Sequence, residues 1–412
     1  MNKYKMVNVI GLGYIGLPTA LMLASHGVEV VGTDYNKELV ESLNAGVPTF
    51  KEDGLDELFK NAVDAGIKFT NNYQHTDIYI VAVPTPYNKF SKKVDACYVK
   101  AAVNDVLDVC NAGATIIVES TVSPGTIDKE VRPLIAERGF ITGKDVHLVH
   151  APERILPGNM IYELINNDRT IGADEPNVAV RVRDIYASFC KGEIVLTDIR
   201  TAEMTKVVEN TFRAVNIAFA NELSRICRHD NMDVYEIIRI CNKHPRVNIM
   251  NPGPGVGGHC ISVDPWFLVG DYPQLTKVIG ESMKVNDSQP DFVLERLQVI
   301  MQENNIKDAS RVGLYGITYK ENVDDYRDSP TLQLLESQAR HLAAPLKCYD
   351  PFLENMKLTE SQYSDFDAFI NDVDIVVVMV KHDHICHNWD RLKDKIVLDC
   401  HNICPLPNTY RL

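Results

Sequence analysis

The residue whose surroundings most invite chemistry is Cys260, which closes the run Asn251-Pro-Gly-Pro-Gly-Val-Gly-Gly-His-Cys260. Proline and glycine at this density exclude regular structure. Glycines beside a cysteine let backbone N–H groups and a substrate crowd the sulfur. A thiolate so placed adds to an aldehyde to give a hemithioacetal; a hydride leaving that adduct gives a thioester, which water hydrolyses to a carboxylate and free thiol. The competing reading is an inert buried thiol, the commoner state of a cysteine in a folded chain. His259 stands beside the sulfur, where an imidazolium would lower the thiol pKa if the two neighbouring side chains did not point apart.

A departing hydride needs an acceptor, and the N-terminus offers a place for one. Gly11-Leu-Gly13-Tyr-Ile-Gly16 follows the apolar run 5–10 and opens a helical pattern over 17–26, while Asp34 ends the next apolar run 18 positions after Gly16. In a strand, turn and helix of this kind Gly11 permits the tight turn, Gly13 lets the backbone approach a pyrophosphate, and Gly16 lets the helix pack closely. Asp34 would accept from ribose hydroxyls and repel a 2′-phosphate, which favours NAD over NADP. A glycine turn without a ligand is the bland alternative.

Other side chains carry weaker signals. Lys206 and Asn210 are spaced i,i+4, so both reach one oxyanion from a shared helix face, unless they are ordinary surface polarity. Lys320 and Arg327 can pair with phosphates, although solvated charge is the other reading. Glu119-Ser-Thr121-Val-Ser-Pro-Gly125 and Ala151-Pro-Glu153-Arg154-Ile-Leu-Pro-Gly158 follow strand-like runs, where doubly wound folds place ligands. Either can be a mere turn, and Glu153 is the better placed to activate a hydrolytic water. Cys400, Cys404 and His401, with His382, His384 and His387 upstream, match no familiar zinc spacing, so no metal is expected.

The elements that must position these residues are legible as short apolar runs at 28–34, 78–83, 115–118 and 146–149, alternating with helix-length segments. That is the pattern of a doubly wound parallel sheet. A long helix is expected over 201–231 with Thr201 as its N-cap, another over 234–242, and more helix over 274–304. From 311 the order repeats: a strand with a partial glycine turn at Gly316, an acid-ended strand at Asp350, and runs 375–380 and 396–399. The fold class expected is α/β, two Rossmann-like doubly wound domains joined by a central helical region. The divisions are an NAD-binding domain over 1–196, a helical region carrying the cysteine loop over 197–304, and a second nucleotide-binding domain over 305–412. Two nucleotide sites imply a cofactor and a nucleotide-bearing substrate.

Composition agrees. Of 412 residues, 45% are apolar and 24% charged, an ordinary globular balance. A net charge of −14 would repel nucleic acid and anionic lipid, so an anionic ligand needs a locally basic pocket. The first residues form neither a signal peptide nor a membrane span, and ten scattered cysteines suit a reducing compartment. A cytoplasmic enzyme without nucleic-acid or membrane partners is expected.

Together these motifs resemble the UDP-glucose/GDP-mannose dehydrogenase family over essentially the whole chain. The marks are Gly11 to Gly16, Val83-Pro84-Thr85-Pro86, Glu119-Ser-Thr121, Pro152-Glu153-Arg154, Lys206 with Asn210, Gly257-Gly258-His259-Cys260 through Asp264, and Lys320 to Arg327. The resemblance implies that two NAD are consumed and that the central helices dimerise. It implies Cys260 as nucleophile, Lys206 and Asn210 at the oxyanion, Thr121 and Asp264 positioning or activating water, and Glu153 assisting thioester hydrolysis. Cofactor contacts are implied at Gly11, Gly13, Tyr14, Ile15, Gly16, Asp34, Pro84, Thr85, Thr121 and Arg327. Substrate contacts are implied at Glu153, Arg154, Lys206, Asn210, Arg213, Gly257 and Lys320, and at Arg246, which would reach a partner subunit's site. Some UDP-glucose members carry a second glutamate four residues after the Pro-Glu pair, where this chain has Pro157. The strings 152–158, 167–169, 200–204, 215–222 and 244–249 are instead similar to the branch acting on UDP-N-acetyl-D-mannosamine. That branch implies oxidation at C6 to the uronate, a precursor of surface polysaccharide such as capsule. The alternatives are the same reaction on UDP-N-acetylglucosamine or UDP-glucose, and a nucleotide-sugar-binding protein without catalysis.

Overall fold

The computed structural model describes residues 6–258, 260–342, 344–407 and 409–412. The chain divides into two units, 1–209 and 210–412. In the first, eight strands, β1 (Val7–Ile10), β2 (Val30–Thr33), β3 (Lys68–Thr70), β4 (Ile78–Val81), β5 (Ala114–Val118), β6 (Val146–His150), β7 (Arg169–Ala173) and β8 (Ile194–Thr197), form one sheet. Its order is β3-β2-β1-β4-β5-β6-β7-β8. Every pairing is parallel except β6 with β7, which runs antiparallel. Helices α1 (Gly16–Ser25), α2 (Lys37–Asn44), α3 (Leu55–Asp64), α4 (Cys97–Val109), α5 (Arg132–Glu137), α6 (Met160–Asn166) and α7 (Pro176–Tyr186) connect the strands.

Successive side chains of a strand point to opposite faces, and the central strands divide accordingly. Val7, Val9, Ile78, Ile80 and Ile117 pack into one apolar cluster with α1 and α3. Ile10, Tyr79, Val81, Ile116 and Leu148 pack into another with α4. Both faces are dry, which is why these strands read as continuous apolar runs. β3, β7 and β8 escape that reading because β3 and β8 are partly exposed and β7, Arg-Thr-Ile-Gly-Ala, mixes polar with apolar residues.

Helix α8 (Ile199–His229) crosses the boundary between the units. It starts two residues before the expected cap: Asp198 accepts from the Thr201 N–H at 2.9 Å and its hydroxyl at 2.6 Å. Asp198 therefore caps the helix, and Thr201 lies inside the first turn. The second unit continues with α9 (Val234–Cys241), α10 (Asp264–Asp271), α11 (Lys277–Asp287) and α12 (Gln289–Glu303). The stretch expected as helix over 274–304 breaks at Ser288, since Pro290 in the first turn of α12 lacks an N–H and favours a fresh start. Strands β9 (Val312–Tyr315), β10 (Lys347–Tyr349), β11 (Gln362–Tyr363), β12 (Ile375–Val378), β13 (Ile396–Asp399) and β14 (Thr409–Arg411) then form a wholly parallel sheet in the order β11-β10-β9-β12-β13-β14. The protein is thus two parallel-sheet domains of the Rossmann kind joined by helices. Among the described residues no helix is long and apolar enough to cross a membrane.

Candidate functional site

In the first unit the strand order reverses between β1 and β4, and ligands of such sheets bind at the carboxyl ends beside that point. The glycine turn lies there. Gly11 has φ +87°, and a Cβ on it would stand 2.5 Å from the Ala82 carbonyl oxygen; one on Gly16 would stand 1.8 Å from that of Gly11. Neither position admits a side chain. Gly13 has nothing within 4 Å of a would-be Cβ, so the space beside it is open to a ligand. Helix α1 has no side-chain cap and no acid in its first turn, which leaves its N-terminus suited to a pyrophosphate. Asp34 follows β2, nearly buried, and accepts from Leu12 N–H at 2.8 Å and Asn36 N–H at 2.9 Å. One carboxylate so braces the turn at the sheet edge where ligands of such folds bind. The donors present fit a dinucleotide. Tyr14 lies against Phe50 with ring centroids 4.5 Å apart, and Ile15 packs partly into the core.

The ends of the neighbouring strands bring further residues to the same edge. Pro84 is exposed and Thr85 buried after β4, and Thr121 is half-buried after β5. Ser120 donates to Val83 carbonyl at 2.7 Å and ties those two segments together. Glu203, in the first turns of α8, accepts from Gly125 N–H at 2.5 Å and Ile127 N–H at 2.9 Å. Burial pushes its carboxyl up to about 7 against those two bonds. Glu203 was invisible in the sequence, because its backbone partners stand nearly 80 residues away. Glu153 is buried after β6; Arg169 pairs with one of its oxygens, and Arg154 N–H donates to the other at 2.6 Å. Arg154 itself donates to Thr170 Oγ1 at 2.8 Å and pairs with Glu209 at 2.9 Å. Lys206 is buried on α8, which excludes plain surface polarity for it.

In the second unit Asn210, one helical turn beyond Lys206, is also buried and donates to Asp264 Oδ2 at 2.6 Å. Asp264 starts α10, and its N–H donates to the Cys260 carbonyl at 2.8 Å. Cys260, half-buried, is thereby fixed to the Asn210–Asp264 pair. The glycines ahead of it do something the sequence reading did not assign. A Cβ on Gly257 would meet Asp328 O at 2.6 Å, and one on Gly258, at φ +82°, the Tyr319 ring at 2.7 Å. Gly258 N–H donates to Arg327 carbonyl at 2.9 Å. The loop needs glycine to press against the segment 319–330, which carries Lys320 and Arg327. Arg327 pairs with Asp325 at 2.6 Å. Arg213 is half-buried and Arg246 exposed; Asn242 and Asn216 pin the loop around the latter through Ile249 and Met250. His259 lies outside the described residues.

The second sheet repeats the acid at its own reversal, but closed. Asp350 after β10 is fully buried and accepts from Ile317, Thr318 and Phe352 N–H groups at 2.6, 2.9 and 2.8 Å, with His382 Nε2 at 3.2 Å. Burial alone would raise its carboxyl, but His382 and those N–H groups hold it below the usual range. Three of those partners share Oδ2, whereas Asp34 accepts one backbone N–H on each oxygen, so the second acid is held differently from the first. His401 bonds the Met379 carbonyl and His384 the Tyr315 hydroxyl. No metal-binding cluster occurs among the described residues. Burial pushes Cys348 up to about 11 and Cys400 well above its ordinary value, which marks both as inert.

Comparison with known proteins matches three successive stretches of the chain. Residues 5–190 match the model of the UDP-glucose/GDP-mannose dehydrogenase family NAD binding domain, 200–288 its central domain and 313–405 its UDP binding domain. The chain is 40% identical to a UDP-N-acetyl-D-mannosamine dehydrogenase of Methanocaldococcus jannaschii, over 97% of this chain and 92% of that protein. It is 37% identical to an NDP-N-acetyl-D-galactosaminuronic acid dehydrogenase of Ralstonia nicotianae, over 96% and 95%. Among solved structures, the UDP-N-acetyl-mannosamine dehydrogenase of S. aureus superposes with a TM-score of 0.88 at 37% identity, covering 98% of this chain and 97% of that one.

Proposed function

The chain belongs to the UDP-glucose/GDP-mannose dehydrogenase family, an NAD-dependent oxidoreductase of UDP-sugars, and from that premise we propose that it oxidises UDP-N-acetyl-D-mannosamine at C6 to the uronate through a thioester on Cys260. The observation that carries the proposal is that Cys260, at the end of a loop that only glycine can build, is bonded through its carbonyl to Asp264, which in turn accepts from Asn210 on α8. Bound NAD supplies the hydride acceptor for both oxidations. In the first, the C6 hydroxyl gives its proton to water, which Thr121 and Asp264 serve to position or activate, and the carbon loses a hydride to leave an aldehyde. Cys260 Sγ adds to that carbon, and its proton passes to the oxygen. Loss of a second hydride and the hydroxyl proton gives the thioester. Water then adds, the C–S bond breaks, and the carboxylate leaves with one further proton released. Lys206 and Asn210 donate to the oxygen as charge develops on it, while Glu153 assists the hydrolysis. The glycine turn at 11–16, with Asp34 and Thr85, holds the cofactor; Lys320 and Arg327 serve the nucleotide phosphates.

We divide the chain for these tasks at 196 and 304. The mannosamine assignment is supported by the five strings similar to that branch, by Pro157, and by the names of the M. jannaschii and S. aureus relatives. Production of a uronate suits synthesis of surface polysaccharide, and ten free thiols suit the cytoplasm. NADH release with UDP-N-acetylmannosamine, UDP-N-acetylglucosamine and UDP-glucose, measured side by side, tests the reading. The first should have the highest kcat/KM by about tenfold or more, the scale of one well-made polar contact. A higher value for either other sugar overturns the substrate, and no NADH from any of them overturns the enzyme.

A further inference from the structure

We propose that Arg169 is a positioning residue for the reaction, shared between Glu153 and Glu119 so that its guanidinium sets the Glu153 carboxylate at the end of β6. The inference rests on the role given to Glu153 above. Its geometry comes from the one antiparallel pairing of the first sheet. Val149 lies opposite Ala173 and His150 opposite Gly172, and that register, continued past β6, sets 153 opposite 169. Had β7 run parallel to β6, its first residue would lie at the far edge of the sheet. Reversal instead carries Arg169 to the edge where ligands bind.

Arg169 is 4% exposed. It pairs with Glu153 Oε2, stands 3.7 Å from Glu119 Oε1, and lies over the rings of Tyr186 at 4.5 Å and Phe189 at 5.3 Å. The Tyr186 hydroxyl donates to Glu119 Oε1 at 3.0 Å. One guanidinium thus serves two buried carboxylates, each at the end of a central strand and each within two residues of a proposed site residue, Thr121 or Arg154. Burial, with Glu153 adding and Arg169 opposing, pushes Glu119 up to about 7. A buried ion cluster is a poor stabiliser compared with apolar packing, whereas a planar guanidinium hydrogen-bonded to Glu153 and held by its ion pair with Glu119 fixes the direction of the Glu153 carboxylate. Lysine keeps the charge and loses the fork.

The test compares Arg169→Lys, Arg169→Gln and Glu153→Gln by steady-state kinetics and by intact mass of the protein quenched during turnover with UDP-N-acetylmannosamine and NAD. In Arg169→Lys, kcat should fall about 10²-fold, the cost of misplacing a reacting group by roughly an ångström. KM for NAD should change less than about twofold, a split that a general loss of structure would not give, with Arg169→Gln at least as impaired. Both arginine variants and Glu153→Gln should accumulate the sugar-nucleotide acyl adduct on Cys260, because hydrolysis is the step that Glu153 assists. If Glu153→Gln accumulates the adduct and Arg169→Lys turns over like the wild type, or slows without it, the positioning role is wrong while Glu153 stands. If Glu153→Gln neither slows nor accumulates it, the role of Glu153 falls, and this inference with it.

Discussion

Asp34 accepts from the Leu12 N–H with one carboxylate oxygen and from the Asn36 N–H with the other, so one side chain braces the glycine turn and, in the proposed function, also accepts from the ribose. Replacing it therefore harms NAD binding without creating an NADP enzyme. Asp34→Ala is expected to raise KM for NAD by about 10- to 100-fold, the value of charge-assisted hydrogen bonds of about 1.5–3 kcal/mol. The wild type should prefer NAD to NADP by tenfold or more in kcat/KM. Equal use of the two by the wild-type protein would remove Asp34 from its place. Asp350 shows the same residue type doing another job. Its carboxyl is held below its unfolded value, so it stabilises the fold above about pH 4 and that contribution is lost as pH falls through the folded value. Melting temperatures from pH 7 to pH 3 should show the wild type well above Asp350→Asn at neutral pH and the gap closing in acid. A constant gap would contradict the assignment.

At the scale of elements, the cysteine loop and the segment 319–330 form one packed unit, because Gly257 and Gly258 leave no room between them. Gly258→Ala combines a left-handed backbone with a Cβ against the Tyr319 ring, and should cost about 1–3 kcal/mol of stability. Gly253→Ala, whose Cβ would meet only His401 at 4.0 Å, should stay within about 0.5 kcal/mol. Chemical denaturation of the two variants gives the comparison, and equal costs would place the glycine requirement elsewhere. The sequence revealed the glycines but not this reason for them, since Tyr319 and Asp328 are brought there by the second sheet. The same limit explains other differences. Strands buried on both faces, such as β1, β4 and β12, announce themselves as apolar runs, whereas β7 and β8, mixed or partly exposed, do not. The glycine turn and Asp34 were legible because one short strand–turn–helix–strand segment carries them. Glu203, Arg169 and the Asp350–His382 pair act through partners distant in the chain, which spacing alone cannot join.

The whole molecule has two sheets that share a six-strand order, the first extended by β7 and β8, yet they differ in the acid that follows the second strand: Asp34 accepts from two backbone N–H groups, whereas Asp350 accepts from three and meets His382. That asymmetry suits a cofactor in one half and a different nucleotide in the other. Along α8, Phe212, Phe219 and Ile226, spaced seven apart, are 66%, 52% and 50% exposed. Val215, Phe219 and Val278 line a groove of about 510 Å³ beside them. Such a stripe has the seven-residue spacing at which one helix packs against another. Sedimentation should find a dimer for the wild type and a monomer for Phe219→Glu; a wild-type monomer would contradict the dimer that the family resemblance implies. The central claim is covalent, four-electron oxidation at Cys260, and the NADH formed per UDP-sugar consumed tests it most directly. The wild-type protein should form two NADH for each carboxylate, and Cys260→Ala should form no net NADH while still binding NAD. One NADH per sugar in the wild type, or undiminished turnover in Cys260→Ala, would contradict it.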